Sequence, residues 1–165
     1  MAKKTGKPSS PESPRVSNRK ARHEYHIHDR LECGIVLSGT EVKAIREGRA
    51  TISDAFARVE PETNELWLYN LDIGGYAHAA PATQHEPKRR RKLLAHRKQI
   101  RDLLTQTHSK GMTLVPLSLY FNNRGLAKIE LAVASGKGGH DKRATVKEKD
   151  ARRDMQRGLT RKRIG

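Results

Sequence analysis

A small antiparallel β-barrel with attached α-helices, followed by a basic tail, is the fold class this sequence predicts. Three observations carry it. Apolar and polar residues alternate over several short stretches, the pattern of half-buried strands. Two such stretches, 112–121 and 126–134, flank Asn122-Asn123-Arg124-Gly125, which has the composition of a hairpin turn. After Ser135 only Val146, Met155, Leu159 and Ile164 remain as large apolar groups. The apolar share is 35% of 165 residues, below the usual range of about 45–50%. A core therefore forms only where those residues concentrate. A barrel also closes its own edges, which suits a chain that meets polyanions.

The elements follow in order. Residues 1–18, rich in Pro and Ser, lack apolar periodicity and read as disordered. From Glu24, residues Tyr25, Ile27, Cys33, Ile35 and Leu37 occupy odd positions, which predicts a strand broken near Asp29. Residues 41–47 form a short helix with Thr40 as cap and Gly48 as stop. Strands at 50–59 and 65–73 follow, separated by Glu60-Pro61-Glu62-Thr63-Asn64. Residues 76–87 are loop-like, with Pro81 and Pro87 as breakers. Leu93, Leu94, Ile100, Leu103 and Leu104 then suggest a helix over 88–106. In the hairpin, Pro116 implies an edge or a bulge, because it has no N–H for the ladder. The domain organisation is thus 1–18 disordered, 19–135 globular, and 136–165 a basic tail unable to order itself.

The charge is segregated. Residues 1–22 hold seven basic side chains and one acid, residues 88–101 eight and none, and residues 137–165 eleven and four. These segments carry +21 of a net +16, which leaves −5 on the other 100 residues. Three dense basic segments around a mildly acidic body are the footprint of a polyphosphate partner. No apolar run approaches the roughly 18 residues of a membrane span. The basic start has no apolar stretch behind it and reads as no secretory signal. No lipidation signal or strongly apolar helix face supports a membrane partner. The single Cys33 excludes an internal disulfide framework and a Cys-rich zinc module, and fits a reducing cytoplasm.

Candidate chemistry is sparse. His23, His26 and His28, with Asp29 and Glu32 nearby, have the composition of metal ligands, but on one strand His23 faces away from the other two. A metal-dependent nuclease built on His26, His28, Asp29 or Glu32 is the enzyme reading. No Ser/His/Asp or Cys/His arrangement and no carboxylate pair supports catalysis, so no cofactor or metal is expected. Residues 135–143, Ser-Gly-Lys-Gly-Gly-His-Asp-Lys-Arg, are phosphate-friendly without the spacing of a P-loop. The block Lys88-Arg89-Arg90-Arg91-Lys92 puts five cations where a helix dipole prefers anions. Nearby phosphates would relieve that conflict.

Several segments in this order resemble the SsrA-binding protein (small protein B) family. They are Asn18-Arg19-Lys20-Ala21-Arg22-His23-Glu24-Tyr25, Glu32-Cys33-Gly34-Ile35, Gly39-Thr40-Glu41-Val42-Lys43, Ile52-Ser53-Asp54, Arg91-Lys92-Leu93-Leu94, Leu117-Ser118-Leu119-Tyr120, and Gly136-Lys137 with His140-Asp141-Lys142-Arg143. The family usually has Ala at the place of Cys33, a small-for-small change. The resemblance implies an oligonucleotide-binding-type (OB) barrel that grips the tRNA-like domain of transfer-messenger RNA. It implies a monomer that works with elongation factor Tu at stalled ribosomes. Asn18, Arg19, Lys20, Arg22, Glu32, Arg91, Lys92 and Leu94 are the implied RNA-binding residues. Gly136, Lys137, His140, Asp141, Lys142 and Arg143 are the implied contacts with the 16S rRNA decoding region, and the tail would become helical in an empty mRNA channel. A ribosomal or ribosome-assembly protein bound to rRNA is the nearest alternative, and a general nucleic-acid chaperone also fits the charge.

Overall fold

The computed structural model describes residues 14–109, 111–138, 150, 151, 153 and 155. Its elements are β1 (Val16–Ser17), α1 (Arg19–Glu24), β2 (Tyr25–Ile35), α2 (Gly39–Arg46), β3 (Ala50–Thr51), β4 (Phe56–Glu60), β5 (Glu65–Tyr69), β6 (Asp72–Ile73), β7 (Arg91–Leu94), α3 (Arg97–Thr107), β8 (Met112–Phe121) and β9 (Ala127–Gly136). The chain is mostly β with a few helices, as the alternation predicts. All strand pairs are antiparallel, in the order β1-β8-β4-β5-β7-β2-β9 with a further β8–β9 pairing. The pairings thus run from β8 through β4, β5, β7, β2 and β9 back to β8, and β3 and β6 form a separate two-stranded sheet.

The inward row of this circuit is apolar. Leu66, Leu68, Leu93, Leu119, Ile129 and Leu131 are buried together with Ile45 and Ile73. A smaller cluster, Ala21, Val115, Leu117, Ala132 and Ala134, lies under α1. Leu131 and Val133 belong to one cluster and Ala132 and Ala134 to the other, so β9 is covered on both faces. Cys33 lies in the larger core, where burial pushes its thiol up to about 11.

Two irregularities decide which side chains face outward. The β2–β9 register shifts between Ile27 and Asp29, where the sequence predicts a break. One extra residue reverses the alternation. Tyr25 and Ile27 therefore pack on the α1 cluster, whereas Leu31, Cys33 and Ile35 face the main core, so the odd positions do not share one face. In β8 the register shifts between Pro116 and Ser118, the bulge that proline requires.

Other expectations need correction. Val16 and Ser17 pair with Leu119 and Ser118, and the Asn18 amide donates to Leu117 O at 2.8 Å. The ordered body thus begins before residue 18, and residues 1–13 lie outside the described set. At the other boundary β9 extends to Gly136, and the Lys137 amide donates to Glu24 O at 2.8 Å. Residues 19–24 are helical, with Asn18 as cap. Helix α2 is capped by Ser38 rather than Thr40, the Glu41 carboxylate accepting the Ser38 amide at 2.7 Å. Gly48 ends it with φ +77°, where a side chain is strained. The strand expected at 50–59 is two pieces, β3 and β4.

The helix expected over 88–106 is the largest difference. Residues 91–94 are strand β7, and helix begins only at Arg97. Arg91 and Leu93 point inward while Lys92 and Leu94 point outward. Five cations therefore do not crowd a helix start.

Candidate nucleic-acid interface

The outward row of β7 is the centre of the site, and Arg91 sets it. Its side chain has 0% exposure, which demands complete pairing. Nε donates to Glu41 Oε1 at 2.9 Å, Nη1 to the carbonyls of Leu71 and Arg89, and Nη2 to Pro87 O at 2.9 Å. Nη2 also lies 2.8 Å from Glu41 Oε1 as an ion pair, so every guanidinium nitrogen is engaged. Glu41 further accepts two bonds from Arg89, at 2.8 and 2.6 Å. Burial alone would push the Glu41 carboxyl up, but Arg89, the Ser38 amide and Arg91 outweigh it and hold the carboxyl below its ordinary range. Arg91, expected on the RNA-binding surface, offers no surface to a ligand. It anchors β7 instead.

Leu94 is 54% exposed, too large a fraction for a core residue. It pairs with Gly34 across β2–β7. A Cβ on Gly34 would stand 3.3 Å from the Leu94 Cβ, so the glycine leaves the space over which Leu94 lies. Glu32 is the next outward residue of β2, diagonal to Leu94 at about 7–8 Å. Its side chain is 52% exposed; it pairs with Lys128 at 3.3 Å and accepts a hydrogen bond from the Tyr120 hydroxyl. That bond, aided by Lys128, holds its carboxyl below the usual range.

Lys92, the other outward residue of β7, pairs with Glu65 and sits 6.0 Å from the Trp67 ring centroid. Its hydrogen bond lowers the Glu65 carboxyl. Arg90 covers the same ring at 4.7 Å, and farther along the sheet Phe56 stacks on Tyr69 at 5.3 Å. Between β7 and α3 runs a groove of about 460 Å³ whose walls include Leu94, Lys92, Arg97 and Arg101. Exposed cations, an apolar side chain and an accepting carboxylate on one face can neutralise phosphate, contact a base and receive base or 2′-hydroxyl donors.

A second basic region lies at the far end of β2. Asn18, also expected to touch RNA, is buried. Its Oδ1 accepts the Ala21 amide at 3.0 Å, while Nδ2 donates to Ile52 O at 3.2 Å and Pro116 O at 3.0 Å. Asn18 therefore orients α1, whose Arg19, Lys20 and Arg22 are exposed. Lys20 meets Asp54 at 3.3 Å, and that hydrogen bond raises its pKa. Gly136 pairs with Tyr25, and Lys137 Nζ donates to Arg22 O at 3.2 Å, so the tail leaves beside α1. Tyr25 and Gly34 are nine positions apart along β2, about 30 Å of extended strand.

The structure thus brings Glu32, Lys92 and Leu94 to one face and Arg19, Lys20, Arg22, Gly136 and Lys137 to another. His140, Asp141, Lys142 and Arg143 lie outside the described residues. His23 is on α1, and His26 and His28 are exposed on β2, with His28 Nε2 2.8 Å from Ser135 Oγ. Among the described residues no three His, Cys, Asp or Glu side chains converge on a metal position. Sequence reasoning gave none of Tyr120, Lys128, Trp67 and Arg90 a role at the site; it met Arg90 only within the cationic block and Tyr120 only within a family segment. Their outward alternation was readable, but which strands would be neighbours was not.

Fold and face together define a β-sheet protein with a surface suited to nucleic acid. Comparison with known proteins places it further: the SmpB protein family model matches residues 15–161, and the chain belongs to that family. It is 49% identical over 144 residues to the SsrA-binding protein of Rhodospirillum rubrum, covering 87% of this chain and 89% of that one. It is 52% identical over 147 residues to the SsrA-binding protein of Acidothermus cellulolyticus, covering 89% and 90%. A solved structure described as "tmRNA-SmpB: a journey to the center of the bacterial ribosome" superposes with a TM-score of 0.64 at 47% identity. It covers 76% of this chain and 86% of that one.

Proposed function

We propose that this protein binds the tRNA-like domain of transfer-messenger RNA and brings it, with elongation factor Tu, to stalled ribosomes in the cytoplasm for their rescue and the tagging of the nascent peptide. The circuit of strands is an OB-like barrel, and its outward face around β7 grips the RNA. The observation that carries the reading is the meeting of Leu94, Lys92 and Glu32 on one face in a chain of the SmpB family. Each has a chemical task there. Lys92 supplies charge to a phosphate, Leu94 lies against an exposed base, and Glu32, which repels phosphate, accepts from base or ribose donors. Residues 136–143 and the basic tail beyond them address the decoding region and the empty message channel, where rRNA phosphates neutralise the cations.

Competition binding between transfer-messenger RNA and bulk tRNA tests the reading, with clear preference for the former expected. Equal affinity for unrelated duplex RNA would indicate a general chaperone, and dominant recovery of 16S or 23S rRNA from extract would favour an assembly protein. A salt titration should show log affinity falling with log salt by about 0.7–0.9 per phosphate contact. A flat titration would remove the electrostatic part of the mechanism. Gly34→Val is expected to keep the strand yet weaken RNA binding. Its side chain must displace Leu94, whose Cβ lies 3.3 Å from the new Cβ. Unchanged affinity with an unchanged melting temperature would deny Leu94 its role.

A further inference from the structure

Glu32 and Glu130 stand directly opposite each other on β2 and β9, where like charges repel. Each is held by its own partners. Glu130 takes Arg15 at 3.4 Å, Arg30 at 3.6 Å and the Ser118 hydroxyl at 3.0 Å. Glu32 takes Lys128 on Oε1 and the Tyr120 hydroxyl on Oε2. Tyr120 is itself fixed, because β8 sets it opposite Lys128 and the Arg15 guanidinium lies 4.9 Å from its ring centroid. Two donors thus clamp a carboxylate that is still 52% exposed. Two carboxylate oxygens offer about four acceptor sites, so roughly half remain for a ligand. A glutamate already fixed loses less rotamer freedom on binding than a solvated one.

We propose that Tyr120 is a positioning residue for RNA recognition, its hydroxyl fixing the Glu32 carboxylate on the outward face that also carries Leu94, so that base or 2′-hydroxyl donors meet it preorganised. The role rests on the RNA-binding reading of this face. The hydrogen bond also holds the Glu32 carboxyl below its usual range and pushes the Tyr120 hydroxyl up to about 12. Tyr120 therefore remains a donor at neutral pH. It touches no RNA in this scheme and acts only through Glu32.

A double-mutant cycle tests this with the full chain and the tRNA-like domain of transfer-messenger RNA. Tyr120→Phe keeps the ring under Arg15 and removes only the hydroxyl. It is expected to weaken binding about fivefold to tenfold, the scale of one net hydrogen bond. On a Glu32→Ala background the same change is expected to cost less than about twofold. The salt slope should not change, because no phosphate contact is lost. Equal losses in the two backgrounds, or no loss in either, would overturn the role while leaving the RNA-binding reading intact. A wild-type chain with no preference for this RNA would remove both.

Discussion

Glu41→Gln is expected to destabilise the fold by about 3–5 kcal/mol, because it strands a buried guanidinium without its counter-charge. For a domain of this size that is a fall in melting temperature on the order of 10 °C. Glu41 and Arg91 both have side-chain exposures of 0%, and Arg89 closes over the same carboxylate at 2.6 Å. Glutamine keeps the size of the group but removes its charge and one acceptor lobe. Thermal unfolding measures the effect, and a change of only one or two degrees would refute it. A double variant, Glu41→Leu with Arg91→Met, discards the pair whole and should recover much of the loss. The pair also gives stability a pH dependence. The Glu41 carboxyl sits below its ordinary value of 4.5 in the folded state, so the unfolded chain takes up protons first as pH falls. The contribution is complete above that ordinary value and is lost as pH drops through the lower, folded one. Wild type should therefore lose stability below about pH 4.5 more steeply than Glu41→Gln.

That same pair explains what the sequence could and could not reveal. The hairpin of β8 and β9 was legible almost to the residue, since alternation, Asn-rich turn and bulging proline all agree. Strand β7 was not. Its alternation is Arg91 and Leu93 inward, Lys92 and Leu94 outward, and a buried arginine reads as surface by composition. The neutralising carboxylate lies 50 positions earlier, so no local window contains the reason Arg91 can be inside. The clue was the electrostatic misfit of five cations at a helix start. Helix α1 was missed because Ala21 is its only buried residue, too small to mark a periodic stripe. At the site, Glu32, Lys92 and Leu94 were named from the family resemblance, and strand pairing supplied the physics that unites them. Asn18 and Arg91 came with the same resemblance. Their side chains are spent on capping α1 and anchoring β7, which position the surface without joining it.

Ending the chain after Gly138 is expected to leave affinity for transfer-messenger RNA nearly intact and to abolish tagging on stalled ribosomes. The cut follows from the geometry at the tail's exit. Stopping at Ser135 would delete the Gly136–Tyr25 pairing and the Lys137 amide bond to Glu24 O at 2.8 Å, confounding function with stability. Cutting after Gly138 spares both, and it leaves Glu32, Lys92 and Leu94 untouched at the other end of β2. Residues 139–165 carry ten basic side chains and four acids, so their loss should lower non-specific RNA attraction at low salt. At physiological salt, screening reduces that term. A tail of the same composition with His140-Asp141-Lys142-Arg143 permuted separates charge from recognition. It is expected to restore ribosome association but not tagging, since in the proposed division of labour charge alone neutralises rRNA while the order of these four residues engages the decoding region. Tagging by the truncated chain would contradict the assigned division of labour, and so would a large loss of RNA affinity at physiological salt.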